Sequence, residues 1–424
     1  MRLPWKRLFR PYRIVGALLA CLAPVLPAFP AIAQTQPSSE ATARAWCFSK
    51  KDAAQRIAGC SFLLGLRKLK EKHRAGALLN RGAANLESNN LDRAIADFTE
   101  VIKHKPSQAM GLTNRGEAYR RKGDLDAAIA DFERAIALNP RDAIAYFNRG
   151  IARSDRGEHD QAIADYDEAI RLNPGDAWYY NNRGNSYIDV KDQDRAMADY
   201  DRAIRLDPKF ALAYFNRGNA HRARNDGDRA LADFNTSIRL DPRYAPAYGN
   251  RARLFRDGGQ LDRAFADFEQ SLRLDPAGYR DSYARGNLYL DRKDYPRALD
   301  DFSQAIKHNP KYAAALNARC LVLTILGRAQ EGLADCEQSL RWKPDDPYTL
   351  DSRGVCHLKL GEFDAAIADF DAALKVSPKL ASSLYGRGIA KRRKGDVDAA
   401  QADIDAGRAI KPDVAKDYAP YGVE

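Results

Sequence analysis

An arginine recurs every 34 residues along this 424-residue chain, at Arg81, Arg115, Arg149, Arg183, Arg217, Arg251, Arg285, Arg319, Arg353 and Arg387. An aspartate keeps the same step at Asp97, Asp131, Asp165, Asp199, Asp233, Asp267, Asp301, Asp335, Asp369 and Asp403. Opposite charges in fixed register can pair, the planar guanidinium meeting a carboxylate. Alternatively the arginines can bind an anionic ligand. Both signs in every unit favour a structural ladder, closed within a unit (Arg115–Asp131) or between units (Asp97–Arg115).

Other reactive side chains form no catalytic constellation. The histidines are scattered, with no helical pairing and no adjacent cysteine pair to make a metal site. No glycine loop is suited to cradling phosphate. The carboxylates follow the 34-residue register, as helix-surface residues would. The expectation is no catalytic residue, no metal, no cofactor, and a protein that is not an enzyme.

The cysteines point elsewhere. Cys320 stands where the other units carry glycine, Ala252 apart, and Cys336 where they carry Phe or Tyr, Ile404 apart. Both change to cysteine in the same unit and in no other, so a Cys320–Cys336 disulfide is expected. Cys47 and Cys60 allow a second. Cys356 is left over as a buried thiol. Disulfides imply an oxidising compartment.

A repeat of this length means stacked supersecondary units rather than one globular core. Residues 111–140 read as two short amphipathic helices. Gly123 ends the first, where a left-handed residue is needed; Gly157, Gly259, Gly327, Gly361, Gly395, Asn89 and Asn225 hold the same position. Asp124 and Asp126 open the second helix, and Pro140 stops it. Gly116 and Ala128 mark close helix contact, with Phe132 filling the seam.

This pattern resembles the tetratricopeptide repeat, with glycine, alanine, Phe or Tyr, alanine and proline at the family's spacing. It departs where the family usually has leucine before the glycine, since here that residue is arginine. The resemblance implies an all-α, right-handed superhelical solenoid of antiparallel helix pairs. The expected organisation is a signal peptide (1–33), a cysteine-containing helical cap (34–74), ten repeats (75–414) and a tail (415–424).

The resemblance also implies that first helices line a concave groove. Successive helical positions lie ~100° apart. If Gly116 faces the second helix, Asn114 points away from it. Asn80, Asn114, Asn148, Asn182, Asn216 and Asn250 would then form a ladder, which ends at Ala284, Ala318, Ser352 and Gly386. Asparagine is a mediocre helix former, so the run needs a reason. The amides either hydrogen-bond an extended peptide or bond neighbouring helices and water. The run is similar to the asparagine ladder in the superhelical arm of O-linked N-acetylglucosamine transferases. Phe147, Trp178, Asn185, Phe215 and Asn219 complete the expected peptide-binding groove, with aromatics supplying selectivity. Asn181, Arg120, Arg121, Arg222, Arg253 and Arg256 are nearby inward candidates.

The N-terminus carries Arg2, Lys6, Arg7, Arg10 and Arg13, then an apolar run ending at Ala31-Ile32-Ala33, the signature of a secretory signal peptide. Leu18-Leu19-Ala20-Cys21 loosely resembles a lipoprotein signal, so membrane attachment is expected only through lipidation at Cys21. The net charge is +11, yet five of these charges lie in 1–33 and six in 34–74. The remainder, 75–424, is formally neutral, which argues against a nucleic-acid partner. The sequence therefore reads as a secreted, periplasmic scaffold that binds a protein or extended peptide. The alternatives are a lipid-anchored envelope assembly factor and a non-catalytic arm related to a glycosyltransferase.

Overall fold

The computed structural model describes residues 36–49 and 52–423. The expected signal peptide, its cleavage site and Cys21 lie outside the described residues. Among those residues every regular element is a helix. The chain forms two compact units, divided after Asn139.

The first unit holds α1 (Glu40–Cys47), α2 (Ala53–Gly65), α3 (Glu71–Glu87), α4 (Leu91–His104), α5 (Ala109–Lys122) and α6 (Leu125–Leu138). The Ser39 hydroxyl accepts from the Thr42 amide and the Asp52 carboxylate from the Ala54 amide, so both cap helices begin on side-chain caps. Gly59 lets α2 lie against α1, since a Cβ there would stand 2.7 Å from the Ala43 carbonyl oxygen. The Cys47 and Cys60 sulfurs are bonded at 2.07 Å. Beyond this hairpin, α3 pairs with α4 and α5 with α6, around the fully buried Phe98 and Phe132.

The second unit repeats the pairing. Its helices are α7 (Ala143–Asp155), α8 (His159–Leu172), α9 (Ala177–Asp189), α10 (Gln193–Leu206), α11 (Ala211–Ala223) and α12 (Gly227–Leu240). Then follow α13 (Ala245–Asp257), α14 (Leu261–Leu274), α15 (Tyr279–Asp291), α16 (Tyr295–His308), α17 (Ala313–Ile325) and α18 (Ala329–Trp342). The last are α19 (Pro347–Leu360), α20 (Phe363–Val376), α21 (Ala381–Lys394), α22 (Val397–Ile410) and α23 (Ala415–Tyr418), before a 3-10 turn at Ala419–Tyr421. Tyr166, Tyr200, Phe234, Phe268, Phe302 and Phe370 fill the seams between first and second helices. The glycine opposite allows close approach: a Cβ on Gly184 would meet the Tyr200 ring at 2.8 Å, and Ala252 takes this position opposite Phe268.

Each first helix from α3 to α21 ends on a residue with positive φ. Six are glycines, and Asn89 and Asn225 serve twice. Lys191 (φ 65°) and Lys293 (φ 59°) fill the remaining places. Lysine has no special tolerance for this region, where an ordinary residue costs ~1–2 kcal/mol. The helix pair on either side fixes the turn regardless of its residue.

Candidate functional site

The arginine ladder closes within each helix pair. Arg115 Nε donates to Asp131 at 2.7 Å and Nη2 to the other carboxylate oxygen at 2.8 Å. The same bidentate fork joins Arg183 to Asp199, Arg251 to Asp267 and Arg387 to Asp403. The remaining Nη1 reaches back to the preceding second helix. Arg183 meets Asp167 at 2.5 Å, Arg217 meets Asp201 at 2.6 Å, and Arg251 meets Asn235 at 2.7 Å. One guanidinium thus ties three helices, and the ladder aspartates, Asp199 and Asp233 among them, are buried. Hydrogen bonding to Asp131 raises the Arg115 pKa. These arginines spend their donors inside the fold, which leaves the ligand reading of the ladder without support.

The asparagines of the first helices divide into two sorts. Asn216 Nδ2 on α11 donates to Asn181 Oδ1 on α9 at 2.9 Å. Asn250 Nδ2 on α13 donates to Asn219 Oδ1 on α11 at 2.6 Å. Asn182 Nδ2 donates to its own helix, to the Trp178 carbonyl at 2.9 Å. These three amides make their hydrogen bonds within the protein. Asn80, Asn114 and Asn148 make no protein hydrogen bond among the described residues. Their amides, with the Asn182 and Asn216 carbonyl oxygens, remain uncommitted. Asn185 accepts from the Tyr200 hydroxyl at 2.9 Å.

The aromatics are further inside than expected. Phe147 is 4% exposed, under Tyr166 and Tyr179, with ring centroids 5.8 and 4.7 Å away. It offers no ring face to a ligand. Trp178 stacks obliquely on Phe210 at 4.6 Å, and Phe215 meets Tyr244 edge-on at 5.1 Å. Both are half-buried. Each ring bridges consecutive helix pairs, because the gap between stacked units is itself an apolar interface that must be filled.

Arginines beside the asparagines differ from those of the ladder. Arg120 and Arg121 are held by Glu117. Arg253 Nη2 donates to Asp281 at 2.5 Å and Nη1 to Asn250. Asp281 also accepts from Ser271 at 2.6 Å. Sequence reasoning missed Asp281, whose signal is a coupled change: it needs Gly249, where a Cβ would stand 2.3 Å from its carboxylate. Arg256 pairs with Asp257. Arg222, half-buried on α11, has no carboxylate partner among the described residues. Burial lowers its pKa, and the Arg253 and Arg256 charges add to the effect, against the pull of Asp257. A guanidinium so placed is an anion-seeking group.

The other end of this unit is built differently. The Cys320 and Cys336 sulfurs are bonded at 2.12 Å, joining α17 to α18. The buried Cys356 thiol on α19 lies 3.4 Å from Cys320 Sγ, and burial pushes its pKa up to about 11. Residues 414–423 fold back over α19 and α21. Tyr418 is 1% exposed and its hydroxyl donates to the Ser382 carbonyl at 2.8 Å. Lys359 Nζ donates to the Tyr421 carbonyl at 2.5 Å. Asp351 accepts from Ser383 Oγ at 2.6 Å beneath these tyrosines.

The tetratricopeptide repeat signature matches residues 79–135, 113–177, 217–279, 282–312 and 327–384, and a TPR repeat signature matches 184–221. No curated protein matches the chain significantly. Among solved structures, a tetratricopeptide repeat protein from Parabacteroides merdae is 23% identical over 59% of this chain and 99% of its own, with a TM-score of 0.48. MamA is 24% identical over 38% of this chain and 94% of its own, at 0.35. YrrB, described as a TPR protein with an unusual peptide-binding site, is 20% identical over 44% and 97%, also at 0.35. By the matched signatures and its helix pairs, the chain belongs to the tetratricopeptide repeat family.

Proposed function

We propose that the chain is a protein-interaction scaffold of the cell envelope that holds an extended, acidic segment of a partner on the first-helix face of α7–α13. One observation carries this reading: a row of uncommitted polar groups ending at the unpaired, half-buried Arg222. A carboxylate from the partner would supply the charge that the fold withholds from Arg222. The free Asn182 and Asn216 carbonyl oxygens and the Asn148 amide suit a peptide backbone, which presents donors and acceptors without regard to sequence. The binding array is residues 75–414, preceded by the 34–74 cap and the 1–33 signal peptide.

The envelope assignment rests on the N-terminal signal and on two disulfide pairs, which persist in oxidising compartments. No described helix is long and apolar enough to cross a membrane. N-terminal sequencing of the exported protein separates a mature chain starting at Gln34 from one lipidated at Cys21.

Peptide display against the full chain tests the binding reading. Extended segments with acidic residues should be recovered, and Arg222→Ala should weaken them at least tenfold without changing the melting temperature. Equal affinity in Arg222→Ala would place the binding face elsewhere.

A further inference from the structure

Arg81 opens the ladder, and its third arm faces a helix without the usual partner. In every later unit an oxygen-bearing side chain stands 16 residues before the arginine. Thr99, Asp167, Asp201, Asn235, Ser303 and Asp371 accept from its Nη1. Glu133, Glu269 and Glu337 hold the same place in the sequence. At the corresponding place before Arg81 stands Gly65. The helix α2 ends on it, and a Cβ built there would meet nothing within 4 Å. Arg81 gives Nε and Nη2 to Asp97, as the later arginines do to their aspartates, but its Nη1 finds the Ser61 hydroxyl only at 3.3 Å.

The space left open is a cleft of about 390 Å³ lined by α2, α3 and α4. Arg74, Leu78 and Arg81 follow one another at helical spacing along α3, so one face of that helix brings two guanidinium groups to the same cleft. Arg74 Nη1 reaches the Leu64 carbonyl at 3.5 Å, and its guanidinium makes no ion pair among the described residues. Leu64 and Leu78 give the cleft apolar walls. Glu100 is the one carboxylate among its lining residues, and it is engaged on its own helix, 2.8 Å from His104 Nε2. Two arginines with donors to spare therefore meet where the fold has left out an acceptor.

We propose that this cleft binds a carboxylate carried on a short apolar body, which supplies from outside the acceptor that later units supply from within. One carboxylate oxygen accepts from Arg81 Nη1, as Asp167 does from Arg183, and the other accepts from Arg74. The apolar body lies on Leu64 and Leu78. The planar carboxylate suits the guanidinium fork, and the charge of Glu100 disfavours a doubly charged ligand. A free acid and the C-terminus of a chain share this chemistry. The site lies in the first unit, and it stands or falls apart from the Arg222 reading.

The probes are N-acetyl-L-leucine, its amide, and the tripeptide acetyl-Ala-Ala-Leu with a free C-terminus, titrated against the full chain by ligand-observed NMR. Both acids should bind saturably and the amide should not. Tighter binding of the tripeptide identifies the C-terminus of a chain as the source; equal binding identifies a free acid. Gly65→Asp offers Arg81 an internal carboxylate in open space, so it should weaken both acids roughly tenfold or more while the protein stays helical. Arg74→Ala removes the second guanidinium without touching the Arg81–Asp97 pair. It should weaken them as strongly, and it stands in if Gly65→Asp loses helical content. Arg222→Ala should change nothing here. Binding of the amide equal to that of the acid, no saturable binding of either acid, or unchanged affinity in the folded variants would overturn the proposal. Those failures leave the Arg222 reading standing, since it is tested on acidic segments at α7–α13. Loss of acid binding in Arg222→Ala alone would move the acid to that face and overturn the cleft.

Discussion

The first-helix face of α9–α13 and that of α17–α21 share one register and one helical geometry, yet they carry opposite solutions. At α9–α13 the face is polar. Asparagines cross-link consecutive first helices, and Arg222 makes no ion pair among the described residues. At α17–α21 the same positions shrink to Ala318, Ser352 and Gly386, a disulfide joins α17 to α18, and the chain's own tyrosines cover the surface. The difference teaches that a repeat array fixes where side chains stand but leaves each stretch of face free to be open or self-satisfied.

The largest test concerns the stapled end. Loss of the Cys320–Cys336 bond should destabilise by ~2–4 kcal/mol. Cys336→Ser, however, leaves Cys356 Sγ at 3.4 Å from Cys320 Sγ. The oxidised variant should therefore form a Cys320–Cys356 bond and recover part of the loss. Non-reduced peptide mapping checks this; two free thiols after oxidation would show the third cysteine to be inert.

Gly386→Asn would make the covered end look like the open one. The asparagine would meet both the Tyr418 hydroxyl and the Phe370 ring, so the segment should leave, losing about 2–3 kcal/mol of apolar burial, and α20 should loosen with it. Hydrogen exchange should rise in 414–423 and stay unchanged in α9–α13. Retained protection in 414–423 would mean that the face can widen.

Within the open end, two asparagines of the same ladder should behave differently. Asn216→Ala strips the side chain of the fully buried Asn181 of its one hydrogen-bond partner among the described residues, at ~1–3 kcal/mol. Asn148→Ala removes an uncommitted amide and raises helix propensity, so it should be neutral or slightly stabilising. Paired thermal melts decide; equal losses would dissolve the distinction between fastening and free amides.

The smallest effect is a pH dependence confined to the covered end. Burial pushes the Asp351 carboxyl up to about 6, Asp417 adding to the rise against hydrogen bonds from Ser383 and Ser382. The unfolded value is ~3.9. Between the two, the folded state keeps a proton the unfolded state has released. This contribution to stability is fully present below about pH 4 and is lost as pH rises through about 6. Asp351→Asn keeps a polar partner for Ser383 without the charge. It should be more stable than the parent by ~1–2 kcal/mol at pH 7.5 and equal to it near pH 4. Melting curves of both proteins across that range give the difference.

The sequence by itself determined the helices, their pairing and the family, because these rest on local and periodic causes. Gly184 under Tyr200, the left-handed residue after each first helix, and Pro140 at a helix end all act within one unit and repeat. Arg115 and Asp131 were legible as partners for the same reason, although the choice between pairing within a unit and between units needed coordinates. Only the tertiary structure decided which polar groups are spent. Asn216 reaches Asn181 across 35 residues and Asn250 reaches Asn219 across 31, distances set by how far one pair rotates on the next rather than by any residue type. Phe147 read as a groove aromatic, but stacking buried it. Tyr418, Lys359 and Asp351 carried no repeating signal, since the fold-back of 414–423 happens once. Register is a local property that periodicity reveals; the closing of one unit on another depends on packing over the whole stack.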